Sequence, residues 1–185
     1  QAREETCRKI METEGATLVH PYDNFNVICG QGTASLELLD EVNDLDVVIA
    51  PVGGGGLMSG TSTCVKGISS KTKVIGAEPI NANDAWKSFT TGTLTPSVNP
   101  LTIADGLLTS LSELTFSIIR KNVDDIFTVS EESIISSMKL VWERMKIIIE
   151  PSSATVFAAV MENRQFFSGK RVGLIISGGN VDLKK

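Results

Sequence analysis

DVVIAPVGGGGLMSG, residues 46–60, is an apolar, β-branched run that passes without alternation into four consecutive glycines. A strand with one wet face alternates apolar and polar residues, whereas a continuous apolar run reads as a strand covered on both faces of a parallel sheet. Beyond the glycines, LMSGTSTCVKGI (57–68) reads as a helix and KVIGAE (73–78) as a second strand, so the stretch opens a right-handed βαβ unit. Further downstream, DIFTV (125–129) reads as a strand. A helix follows from an N-cap at Ser130 to about Lys146, and another begins with Pro151 in its first position after Glu150. RVGLIIS (171–177) is the last expected strand and ends in GGN. Upstream, AREETCRKIMETE (2–14) is rich in helix formers and stops at Gly15, ATLVH (16–20) reads as a short strand, and 33–42 places Leu36, Leu39 and Val42 at helical spacing behind an N-cap at Thr33. The expected fold is α/β: an open, mainly parallel sheet with helices on both faces.

Composition narrows the function classes. The chain has 185 residues, 17 Lys+Arg against 22 Asp+Glu, and 42% hydrophobic residues. With a mean hydropathy of +0.11, it can bury a core but contains no apolar run near the roughly 18 residues a spanning helix needs. Residues 10–65 hold no Lys or Arg, and no basic cluster occurs elsewhere, which argues against nucleic acid as a partner and leaves no membrane signal. Cys7, Cys29 and Cys64 are odd in number, far apart and without C-x-x-C spacing. They support neither a disulfide framework nor a zinc site, and a reducing, cytoplasmic setting fits them.

In open α/β sheets ligands bind beyond the carboxyl ends of the strands. Both PVGGGGLMSG (51–60) and ISGGN (176–180) are expected there. Four glycines before a helix leave backbone N–H groups and the positive helix end free to hold a phosphate. The G-x-G-x-x-G pattern fails in both registers, with Met58 or Ser59 at the third glycine, and the Walker pattern fails because Thr61 replaces its lysine. Glu78, however, closes the next strand where a dinucleotide fold keeps its ribose-binding acid, so a non-catalytic nucleotide- or anion-binding module stays open as an alternative. His20 is the sole histidine and no G-x-S-x-G occurs, which gives a Ser-His-Asp hydrolase little support.

PVGGGGLMSG, AEPINANDA, TIADG, DDIFTVSEE, LVWERMKIIIEPSSA and LIISGGNVDL, in this order, resemble the large domain of the fold-type II pyridoxal-phosphate enzymes, the family of serine racemases and of serine and threonine dehydratases. The resemblance covers nearly the whole chain, VHPYDN (19–24) and GQGTASLELL (30–39) included. It implies that the backbone of Gly53, Gly54, Gly55, Gly56 and Leu57 holds the cofactor phosphate, that Ser177 meets the pyridine nitrogen as donor or acceptor, and that Gly106 packs beside the ring. It further implies that Glu78, the Ala82 carbonyl and Asp84 take Mg²⁺ or Ca²⁺, although the two acids could equally be ordinary helix N-terminal carboxylates. Lys146, Glu150 and Asn180 match positions that bind ATP at a subunit interface, which implies a homodimer.

The family's Schiff-base lysine, in S-x-K-x-R, and its S-G-N-H-G-Q-A loop do not occur; SSKTK (69–73) is the nearest lysine context and reads as a turn. The chain is therefore expected to be a C-terminal piece of a longer enzyme, with 1–21 the end of the small domain and 22–185 part of the large one. Alone it is expected to show no turnover. The implied activity of the whole is racemisation of serine and its dehydration to pyruvate and ammonia, with threonine dehydration as the nearest alternative.

Overall fold

The computed structural model describes residues 2–182; Gln1 and residues 183–185, the extremes of the two expected domains, lie outside the described residues. The elements in chain order are α1 (Ala2–Glu14), α2 (Phe25–Glu41), β1 (Val47–Pro51), α3 (Gly56–Ile68), β2 (Lys73–Pro79), α4 (Asp84–Thr91), α5 (Glu113–Asn122), β3 (Asp125–Val129), α6 (Glu131–Met145), α7 (Pro151–Glu162), α8 (Arg164–Phe167) and β4 (Val172–Leu174). All four strands are parallel, in the order β3-β2-β1-β4.

That order contains a reversal. The chain steps outward from β1 to β2 to β3, then crosses back to lay β4 against the other side of β1. A crevice opens where successive connections leave a sheet in opposite senses, here between the carboxyl ends of β1 and β4. The two central strands, β1 and β2, are buried on both faces, and their residues divide by parity. Val48, Ala50 and Val52 join Val65, Met58 and Ile119 in one core, while Val47 and Ile49 join Ile134, Val141 and Val156 in the other. Neither core takes a residue from 2–21.

Three expectations need correction. ATLVH (16–20) forms no strand, because among the described residues no neighbouring strand pairs with it. The second helix does not begin at Thr33: it starts at Phe25, because the Asn24 side chain accepts the N–H groups of Asn26 and Val27, at 2.9 and 3.2 Å. The last strand stops at Leu174 rather than Ser177, its pairing with β1 covering Val47↔Val172 to Ile49↔Leu174 before the chain turns into the site. The remaining boundaries agree within two residues, including Gly15 at φ +65 after α1 and Ser130 as the side-chain cap of α6.

Candidate functional site

β1 runs into the glycine loop, and Gly55 caps α3 in the left-handed region, at φ +87, where a side chain is strained. The first helical bond is Ser59 N–H to the Gly55 carbonyl, 2.8 Å. Among the described residues the N–H groups of Gly54, Gly55, Gly56 and Leu57 therefore have no acceptor, as expected for a first helical turn. Thr115, fully buried on α5, ties the loop down from behind: its hydroxyl donates to the Gly54 carbonyl at 2.9 Å and accepts the Ser112 N–H at 2.9 Å.

The loop forms one wall of a cavity of about 430 Å³ at the β1/β4 crevice. Gly53, Gly54, Gly55, Gly56, Leu57, Gly106 and Ser177, the seven residues expected around a phosphate-bearing ring, all line it. The opposite wall is built by α7. Ser152 Oγ accepts the Gly106 N–H at 3.1 Å, and a Cβ at Gly106 would stand 2.8 Å from that oxygen, which keeps this position flat. Ser153, fully buried, contacts Ser177 Oγ at 3.0 Å and both main-chain polar groups of Gly178 at 2.7 Å. Tyr22 closes the cavity over the loop, so closely that a Cβ at Gly54 would collide with its ring. Unpaired N–H groups at a helix N-terminus, a flat wall and a hydroxyl opposite fit a phosphate ester of a planar ring.

Of the three residues expected at a nucleotide, two are in direct contact. Glu150 lines this same cavity and accepts the Asn180 N–H at 3.0 Å, while Lys146 is exposed at the C-cap of α6, at φ +60.

Glu78 turns away from the cavity, against its reading as a ribose-binding acid. It accepts the N–H groups of Ala85 and Trp86, at 3.0 and 2.8 Å, and so caps α4. Asp84, in the first turn of α4, is 3% exposed, and both its oxygens are buried without a well-formed hydrogen bond, although Ser97 and the main chain at Asp84 and Leu111 approach closely enough to favour its charge. Burial pushes the Glu78 carboxyl up to about 8 against the pull of its two N–H donors, and burial likewise raises Asp84 to about 6. An unsatisfied buried carboxylate beside a second one is a donor set that fits a hard cation. Among the described residues no three His, Cys, Asp or Glu side chains converge, so such an ion would also need the Ala82 carbonyl and water.

The family model for pyridoxal-phosphate dependent enzymes matches residues 1–178. The chain belongs to this family. It is 52% identical to the serine racemase of Dictyostelium discoideum, over 99% of this chain and 58% of that protein, and the crystal structure of that enzyme superposes with a TM-score of 0.90 over 98% of this chain and 59% of the other. A beta-hydroxyaspartate dehydratase of Paracoccus denitrificans (strain Pd 1222) is 46% identical over 100% of this chain and 58% of its own length. The crystal structure of a T.th. threonine deaminase, 43% identical, gives a TM-score of 0.92 over 96% of this chain and 65% of its own. This pyridoxal-phosphate family chain thus spans 58% of the length of those first two curated relatives.

Proposed function

We propose that the chain is the phosphate-holding, large-domain portion of an enzyme that racemises or dehydrates β-hydroxy α-amino acids, serine first and threonine as the alternative. The observation that carries this reading is the convergence of the glycine loop, Gly106 and Ser177 on one cavity at the sheet's reversal. Serine, threonine and hydroxyaspartate, named in the relatives' activities, share a β-hydroxyl beside an acidic α-hydrogen. Residues 1–21 then form the end of a small domain, consistent with both cores being built, among the described residues, from positions beyond 21, and 22–185 part of the large one.

Pyridoxal phosphate, bound here, supplies an electron sink for loss of the α-proton. The chain's own part is binding and orientation. The N–H groups of Gly54 to Leu57 and the positive end of α3 hold the phosphate. Gly106 leaves room for a flat ring, and Ser177 meets the ring nitrogen with a neutral hydroxyl where a carboxylate would place a full negative charge. Glu78, Asp84 and the Ala82 carbonyl hold Mg²⁺ or Ca²⁺ at the end of β2, away from the cavity. Lys146, Glu150 and Asn180 serve an ATP effector in a homodimer, whose contact surface would also cover the exposed Ile147 and Ile148 beside Lys146. The setting is cytoplasmic; no helix among the described residues is long and apolar enough to cross a membrane.

Calorimetry with pyridoxal phosphate and with inorganic phosphate tests the cradle. Both ligands are expected to bind the folded chain, and Gly54→Ala or Gly55→Ala to remove both. Ser177→Ala should weaken the cofactor and leave phosphate untouched. Absence of phosphate binding by a folded chain overturns the reading.

A further inference from the structure

The only tyrosine of the chain rests directly on the glycine loop. A Cβ at Gly56 would stand 2.8 Å from Tyr22 Cβ, and one at Gly54 would collide with the ring. Two side chains hold the turn 20–24 that carries this tyrosine, and both do it in the same way. Asn24 Oδ1 accepts the N–H groups two and three residues on, at 2.9 and 3.2 Å, and so caps α2. His20 Nδ1 likewise accepts the N–H groups two and three residues on, those of Tyr22 and Asp23, at 3.4 and 2.8 Å. Pro21, between them, has no N–H of its own. The two acceptors differ in one respect. An amide oxygen keeps its lone pairs at every pH, whereas an imidazole nitrogen accepts only while it carries no proton. Two N–H groups aimed at Nδ1 therefore place the hydrogen of the neutral ring on Nε2, and a ring protonated at both nitrogens has nothing left to accept with.

We infer that neutral His20 is a positioning residue that clasps Tyr22 down on the glycine loop, and that uptake of a proton at Nδ1 opens the clasp and lets the tyrosine lift. The two rings pack edge to face with centroids 4.6 Å apart, so the histidine cannot turn away without disturbing its neighbour. Asparagine at position 20 would make the same two bonds, as Asn24 does four residues later. What histidine adds is release, since imidazole changes charge between about pH 5 and pH 8. Among the described residues, the groups that titrate or carry charge around it are Cys7 and Arg8 of α1, Tyr22, and Asp23 in the turn. All four remain in a variant at position 20, so the comparison isolates the imidazole. A lifted tyrosine admits water to compete for the N–H groups of the loop, so the loop should hold an anion less well as pH falls. That last consequence rests on the proposed function; the clasp does not.

The test labels the full chain with 3-fluorotyrosine, which enters at Tyr22 alone and gives a single ¹⁹F resonance. From about pH 7 to about pH 5 that resonance should shift reversibly toward its solvent-exposed position in the wild type, and it should stay in place in His20→Asn, which keeps an acceptor that does not titrate. Asp84, raised by burial to about 6, titrates in both chains alike. His20→Ala, with no acceptor, should show the lifted signal already at about pH 7. Sulfate, a dianion throughout this range, serves as the probe of the loop: its affinity should fall with acid in the wild type and hold in His20→Asn. A wild-type resonance that does not move between these pH values overturns the inference, and so does a shift of equal size in His20→Asn. If sulfate binds neither chain while the ¹⁹F signals behave as expected, the clasp stands and the proposed phosphate cradle falls.

Discussion

Glu78 is a carboxyl group held where its charge is unfavourable. In the unfolded chain it loses its proton near its ordinary value of 4.5, but in the folded chain it keeps it up to about 8. Between those values the folded state binds more protons than the unfolded one, so stability falls as pH rises across that window. Asp84, raised from 3.8 to about 6, adds the same sign at the acid end. With a chelator present, the melting temperature should therefore be higher near pH 5 than near pH 8. Mg²⁺ or Ca²⁺, which binds the charged forms, should raise it more at pH 8 than at pH 5. Glu78→Gln with Asp84→Asn should flatten the pH profile and remove the cation shift; a shift that survives both changes places the cation elsewhere. Thr115 is the second residue whose role is sharp. Thr115→Val keeps the shape but strands the Gly54 carbonyl and the Ser112 N–H, which should lower stability by about 1–3 kcal/mol in urea titrations and weaken phosphate binding. At this scale the loop glycines and Ser177 were legible because the chemistry sits in adjacent residues. Thr115 and Ser153 were not, since they act on partners 61 and 24 positions away.

At the scale of elements, the packing of α2 on α3 turns on two glycines. A Cβ at Gly32 would stand 3.0 Å from the Gly60 carbonyl oxygen, and one at Gly60 would press on the Ile28 carbonyl and the Gly32 nitrogen. The two helices touch backbone to backbone there, with no slack for a methyl group. Gly67 lies in the same α3, yet a Cβ there meets nothing within 4 Å. Gly60→Ala should destabilise the chain by about 1–3 kcal/mol through overpacking. Gly67→Ala should stabilise it by roughly 0.5–1 kcal/mol through lost backbone entropy of the unfolded chain. Denaturant midpoints moving in the same direction for both would refute this account of the crossing. The contrast also explains why the start of α2 was misplaced from sequence. Thr33 offers a local N-cap, whereas the true start is set by the Asn24 cap, and Gly32 inside the helix is demanded by a neighbour 28 positions downstream. ATLVH failed for the complementary reason: an apolar run is only half of a strand, and pairing supplies the other half.

For the whole molecule, the continuous apolar runs announced a parallel sheet with two covered faces, and the parity of β1 confirms it residue by residue. Strand order was beyond reach, because nothing local to Val172–Leu174 states that it lies beside β1 rather than beyond β3. That placement has a consequence in time. The bond from Arg171 N–H to the Asp46 carboxylate, which opens the β4 seam, spans 125 positions, and the seam that brings Ser177 opposite the glycine loop pairs only three residues on each side. Closing so large a loop for so few pairs is entropically unfavourable until the intervening helices and strands are in place. The cavity is thus expected to assemble late in folding, after most helix has formed, and its two walls to part early when the protein opens locally. In stopped-flow refolding, recovery of phosphate binding should lag behind recovery of the far-ultraviolet helix signal, and amide hydrogens of 175–180 should exchange faster than those of Val47–Pro51. Binding that returns in step with helix would mean the seam closes early, and that the far ends of this chain find each other before the middle has folded.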